Sequence, residues 1–352
     1  EPQMTDQTTR PSGIYRSRVR RKNLLLALLL LALVASVLSD VAIGPVSLGI
    51  GDVLRGLFDP SGTELRTRVV LWEIRLPGAL MAVVAGGALA LAGAIMQTIL
   101  NNPLASPFTL GISAAAGFGA SLALAFGVAV LPFAAYIVPA NAFFMAMLTA
   151  FLIHLLCLKR QATAETIVLF GIALVFTFNA ALALVQYFAS ERAVSAIVFW
   201  TLGSLTKASW ESLGITAAVL ALAAPLLARR VWALTALRLG DEKAVSFGIK
   251  VPRLRLQALM LVSLLAAFPV AFVGTIGFIG IVGPHIARML IGEDQRYFLP
   301  AATLCGALIL SISSIVSKSL IPGTIFPIGV VTALIGVPFF ITLVLSSRKP
   351  TW

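Results

Sequence analysis

Few side chains in this sequence have the type and spacing to do chemistry, and they fall into three clusters. In the first, Gly274, Gly277, Gly280 and Gly283 recur at every third position and lead into Pro284, His285 and Arg288. Glycines followed by a proline give a backbone that bends and admits close neighbours, so this run reads as a structural hinge. His285 and Arg288 share one face of the helix that follows. The imidazole there serves either as a hydrogen-bonded core group or as a proton or substrate contact. The second cluster is Asn102-Pro103-Leu104-Ala105-Ser106-Pro107. Its prolines forbid continuous helix and its Asn side chain can satisfy freed backbone groups, as in a tight turn or a break beside a passage. The third runs from Leu239 through Gly240, Asp241, Glu242 and Ala244 to Gly248. Asp241 is placed to cap a short helix and Gly248 to end it, which is either an ordered knob or an ordinary solvated loop.

What the sequence lacks narrows the reading. There is no GxxxxGKS/T phosphate cradle, no HExxH, no paired aspartates and no Ser/His/Asp set. Cys157 and Cys305 stand alone in apolar segments, and His154 and His285 are too isolated to ligate a metal together. The chain is therefore read as no enzyme, with no metal or cofactor of its own.

The elements that must position these clusters are set by the solvent. Of 352 residues, 59% are hydrophobic and 11% charged, and the mean hydropathy is +1.00. So few charges build no water-facing surface. In lipid every backbone polar group needs an internal partner, and the long continuous apolar runs favour helices over a barrel. The predicted fold is all-α, a polytopic bundle of about ten membrane helices. The spans fall near 23–42, 74–99, 107–128, 134–157, 165–189, 210–230, 256–276, 278–291, 298–319 and 328–346. The eighth is too short to cross alone. Residues 1–22 form a basic tail, residues 23–347 a single membrane domain, and residues 238–250 a loop within it. Leu24 to Leu38 is followed by no small-residue cleavage site, so it reads as a retained span rather than a secretory signal.

The net charge of +12 has a membrane explanation. With ten spans, the basic residues before Asn23, Lys159, Arg160, those from Arg229 to Arg255, Arg288, Arg296, Arg348 and Lys349 share one side with both termini. Only Arg55, Arg66, Arg68, Arg75, Arg192, Lys207 and Lys318 fall on the other. That asymmetry predicts an inner-membrane protein with both termini cytoplasmic. No basic, aromatic-interleaved segment lies outside the membrane, which excludes nucleic acid as a partner. Gly86, Ala90 and Ala94, and likewise Gly111, Ala115 and Gly119, form small-residue stripes for close helix packing. No acid lies mid-span, which argues against an ion-coupled secondary carrier.

Four segments together resemble the permeases of type II ABC importers for ferric siderophores, haem and cobalamin. They are Arg75-Leu76-Pro77 with the helix reaching Gln97, then Asn102 to Pro107 with Leu110 to Ser113, then Leu239 to Gly248. The last is the stretch Gly274 to Arg288, continuing through Leu299-Pro300, Pro327 to Ala333 and Gly336 to Phe340. The likeness covers roughly residues 70–345. It implies a passage shared with a second permease subunit, identical or homologous, and two cytoplasmic ATPase subunits that hold ATP and Mg. It also implies a periplasmic binding protein that delivers an iron chelate, ferric siderophore before haem or cobalamin. By the same likeness Leu239, Gly240, Asp241, Glu242, Ala244 and Gly248 would couple to the ATPase. Arg75 and Lys318 would receive the binding protein, unless they merely snorkel to the interface. Gln97, Asn102, Pro103, Gln186, Tyr187, Phe188 and Trp200 would line the translocation pathway, the aromatic ones doubling as interface anchors.

The sequence departs from the family pattern at Gly78, Ser314, Lys318 and Ile325. A second basic residue is lost at Gly78 and acids are lost at Ser314 and Ile325, so Lys318 is expected to lack a partner in its own chain.

Overall fold

The computed structural model describes residues 11–44, 49–60, 62–131, 133–159, 163–321 and 323–346. Residues 1–10, Arg160, residue 347, Arg348 and Lys349, which entered the expectations above, lie outside the described residues. Among those described the chain is helical throughout, with no strand. In order the helices are α1 (Pro11–Ala42), α2 (Ile50–Phe58), α3 (Leu65–Val69), α4 (Leu76–Ile99), α5 (Ile112–Phe126), α6 (Ile137–Lys159), α7 (Ala164–Phe188) and α8 (Glu191–Thr201). They continue as α9 (Trp210–Ala228), α10 (Val231–Leu237), α11 (Asp241–Ser246), α12 (Val251–Val273), α13 (Ile279–Ile291), α14 (Gln295–Ser319) and α15 (Ile328–Ser346).

Seven of these segments are long and apolar enough to cross a membrane, and α5, α13 and α15 supply three shorter apolar helices. They coincide with the ten expected spans. Their ends follow familiar rules. Thr163, Ser190, Ser209 and Asp294 cap α7, α8, α9 and α14 through their side chains. A π-helical turn, Val70–Arg75, leads into α4, and Pro77 lies in its first turn, where its missing N–H leaves nothing unsatisfied.

Helix α4 is the axis of the bundle. Almost every residue from Leu76 to Ile99 is buried, between α12, α13 and α14. The small-residue stripe explains how. A Cβ on Gly86 would lie 2.5 Å from the Gly306 carbonyl, and one on Gly306 would lie 2.2 Å from the Ala90 methyl. Without a hydrophobic drive between helices in lipid, such close backbone approach supplies the packing.

Helices α5 and α13 span only about 22 Å and 20 Å at ~1.5 Å per residue, short of the ~30 Å hydrocarbon core. Each is preceded by backbone that is not α-helical, residues 100–111 ahead of α5, with one 3-10 turn at Pro107–Leu110, and 274–278 ahead of α13. The first stretch packs on the start of α13, since Pro107 Cδ lies 3.4 Å from where a Gly280 Cβ would stand, and its Ser106, Phe108 and Thr109 border one hollow with Gly277 and Phe278 of the second. Non-helical backbone at membrane depth survives only where protein satisfies it. Here Ser106 and Thr109 cap each other's backbone, while Thr275 Oγ1 donates to the Thr201 carbonyl.

Candidate functional site

The loop on the basic side folds into an ordered knob. Gly240 has φ +102° and Gly248 φ +79°, conformations that favour glycine. Between them α11 makes a single short helix. The Gly248 N–H donates to the Val245 carbonyl (2.8 Å) and the Ile249 N–H to the Ala244 carbonyl (3.1 Å), the paired bonds that close a helix on a left-handed residue. Gly248 thus ends the helix as expected. Asp241 does not cap it. It is the first helical residue, and its carboxylate accepts two bonds from Arg255, each 2.8 Å. An acid at a helix start fits both roles, and a buried guanidinium wins because the carboxylate offers it a planar, two-point match. Ala244 is sealed inside, whereas Leu239, Val245 and Phe247 are 55%, 59% and 65% exposed. Glu242 is exposed beside them.

Two side-chain links leave the knob. Arg255, buried to 4% exposure, also donates through Nε to the Ile99 carbonyl at 2.8 Å. On the other flank Arg238 pairs with Glu293, Glu293 lies 3.3 Å from Arg288 Nε, and Arg288 Nη2 donates to Gln97 Oε1 at 2.9 Å. Both links end on the last turn of α4. Next to Glu293, the Arg296 guanidinium hydrogen-bonded to Asp294 holds that carboxyl below the usual carboxylate range.

The glycine run is not one hinge. The backbone leaves helical geometry at Gly274, φ +80°, and at Phe278, φ +67°, and Gly277 lies in the irregular stretch between them. Gly280, Gly283 and Pro284 lie inside α13 as packing contacts. A Cβ on Gly93 would stand 1.8 Å from the Gly280 carbonyl, the one Pro284 leaves without its helical N–H donor. Spacing alone does not separate a bend from a close approach, because both need an absent side chain. His285 is half-buried, its ring edge-on to Phe339 at 6.0 Å.

The expected pathway residues separate. Gln97 is wholly enclosed, whereas Trp200, 4% exposed, borders a hollow of about 610 Å³ together with Lys207 and Glu211. Asn102 Oδ1 accepts from the Leu104 N–H (2.9 Å), holding the turn in which Pro103 sits half-buried. Gln186 is half-buried, while Tyr187 and Phe188 stack edge-to-face at 5.1 Å on the open flank of α7. That flank carries a residue the sequence reading passed over. Phe278 caps α13, packs on Gly336 and borders a hollow of about 470 Å³ with Thr109, Ile172 and Gly277. A bulky residue in a left-handed position leaves no trace in periodicity.

At the opposite end, Lys318 does have a partner. Its Nζ lies 2.8 Å from Asp40 Oδ1, and Asp40 is fully buried. Arg75 is 6% exposed and donates from Nη1 to the Val41 and Ala42 carbonyls, 2.9 Å each. Both cations turn inward to hold the end of α1, and neither stands out as a docking charge. The acid lost at Ser314 is replaced from another helix.

The sequence pattern of the FecCD transport family matches residues 3–346. The chain belongs to the FecCD transport family. Among FecCD relatives, the Fe(3+)-citrate import system permease YfmE of Bacillus subtilis is 36% identical over 336 residues, 94% of this chain and 98% of its own length. The hemin transport system permease HmuU of Yersinia pestis is 34% identical over 327 residues, 93% of this chain and 96% of its own. A solved structure described as an inward-facing metal-chelate type ABC transporter superposes with a TM-score of 0.80 at 32% identity, covering 91% of this chain and 98% of that one. The resemblance drawn from the four segments is thus borne out: this FecCD chain is a multi-pass permease of the ABC importer type, and not itself an ATPase.

Proposed function

We propose that the chain forms half of the passage of an ATP-driven importer for an iron chelate, of the ferric citrate or siderophore kind, with haem or cobalamin as the next candidates. The observation that carries this reading is the knob. The six-residue helix Asp241–Ser246, closed at its end by Gly248, and the residues flanking it present Leu239, Val245 and Phe247 to water on the basic side. Exposed apolar groups on an ordered protrusion mark a contact surface. In this reading two ATPase subunits holding ATP and Mg grip Leu239 to Gly248 of paired permeases in the inner membrane, with both termini cytoplasmic. A second permease covers the open flank of α7, where Tyr187, Phe188 and Phe278 face the cargo. Asn102 and Pro103 form the break beside the passage. A periplasmic binding protein delivers the chelate, docking on groups other than the inward-turned Arg75 and Lys318.

The test is reconstitution with an ATPase and a binding protein of an iron-chelate importer from the same cell, in liposomes given iron-55 citrate. Uptake that requires ATP and binding protein is expected. Uptake that follows a proton or sodium gradient without ATP would instead make the chain a secondary carrier. Competition by hemin or cobalamin ranks the cargo.

A further inference from the structure

The knob is flanked by two glycines in left-handed backbone, each with open space where a Cβ would be. Neither joint is braced by side-chain packing of its own, so the main chain alone is a weak route for a push on α11. The side chains provide another route. Arg255 ties the Asp241 carboxylate, at two points, to the Ile99 carbonyl. Arg238, Glu293 and Arg288 tie the other flank of the knob to Gln97. The two anchor points are two residues apart on α4, directly before Asn101, φ +46°, where the helix gives way to irregular backbone.

The two links also share a design. In each, the acid is half in water, with side chains 51% exposed at Asp241 and 53% at Glu293. The arginines that grip them are inside, 5% exposed at Arg255 and 17% at both Arg238 and Arg288. A pair placed only to stabilise the bundle has no need of an acid at the outer surface. A pair that must feel a partner and hand the motion inward does. Arginine suits this because its planar fork fixes orientation as well as distance.

We propose that Arg255 and the Glu293–Arg288 pair are positioning residues that deliver knob motion to the end of α4, and so to the break at residues 100–111. The proposal rests on the reading of Leu239 to Gly248 as the ATPase contact. Its test uses the complete complex in liposomes, comparing wild type with Arg255→Lys and Glu293→Gln, singly and together. Uptake of iron-55 citrate and ATP hydrolysis are measured on the same samples. Spin labels at Asn101 and Ser246 report the distance between knob and break.

In the double variant, ATP hydrolysis should stay within about twofold of wild type while uptake falls at least tenfold. The label distances, narrow in wild type, should spread at least twofold in width. Uptake per ATP within twofold of wild type would overturn the proposal. So would hydrolysis and uptake falling together in proportion to assembled complex, with the label distances unchanged, since that marks a merely structural role. A wild-type complex that hydrolyses ATP without moving citrate- or siderophore-bound iron, hemin or cobalamin would refute the transport reading instead. The label widths would still decide the links, because they need no cargo.

Discussion

Lys318 Nζ and Asp40 Oδ1 meet at 2.8 Å across 278 positions of sequence, fastening the end of α1 to the end of α14. Asp40 has no exposure and the Lys318 side chain only 14%. Removing one member of a buried pair leaves the other charge uncompensated, a loss of about 3–5 kcal/mol, whereas replacing both with apolar groups is close to neutral. Asp40→Ala is therefore expected to lower the unfolding midpoint of the purified protein sharply. The double change Asp40→Leu with Lys318→Met should recover most of it. A single variant as stable as wild type would show that the pair carries no weight.

Gly93 and Gly214 make a matched comparison. A methyl on Gly93 would collide with the Gly280 backbone, whereas one on Gly214 meets nothing within 4 Å. Gly93→Ala must push α4 and α13 apart, at about 1–3 kcal/mol or more. Gly214→Ala, within α9, should be neutral or stabilise by about 0.5–1 kcal/mol. Thermal unfolding in detergent ranks the two, and the reverse order would discredit the packing argument.

At Gly248 the left-handed φ sets a different ranking. Alanine there costs about 1–2 kcal/mol of local backbone strain, and asparagine, which tolerates the conformation better, costs less. The expected order of affinity for the ATPase subunit is Gly, then Asn, then Ala, read by co-purification or surface resonance. Equal affinities would mean that the fold of α11 does not matter to docking.

Phe247 and Leu239 test the surface itself. Each is more than half exposed, so Phe247→Ser or Leu239→Ser should leave the unfolding midpoint within about 0.5 kcal/mol of wild type. The same changes should weaken ATPase binding by about tenfold if either residue is an anchor of the contact. Full binding by the double variant would move the contact elsewhere.

Much of this architecture is legible before any coordinates. The ten apolar runs carry it, because lipid leaves the backbone only the helical choice. The amphipathic turns α2 and α8 escape notice because they are short and lie between spans. Partnerships are harder still. Asp40 reads as an ordinary end-of-span acid, and no local pattern points from it to Lys318. Asp241 fits a cap as well as it fits Arg255. Gln97 looks like a pathway group until its burial is known, and the glycines of α13 look like a bend until Gly93 is seen against Gly280.

The fastening of α1 has a consequence for the lipid around it. At its other end Lys22 reaches Asp294 Oδ2 (3.6 Å) and lies over the Tyr297 ring (4.9 Å), again on α14, and Ser36 meets Ser311 between the two. Lys22 and Asp40 are about 27 Å apart along the helix at ~1.5 Å per residue, close to one hydrocarbon thickness. Buttoned at both leaflets to the same neighbour, the first helix has little freedom to tilt on its own. In a thinner or thicker bilayer the mismatch then falls on the surrounding acyl chains.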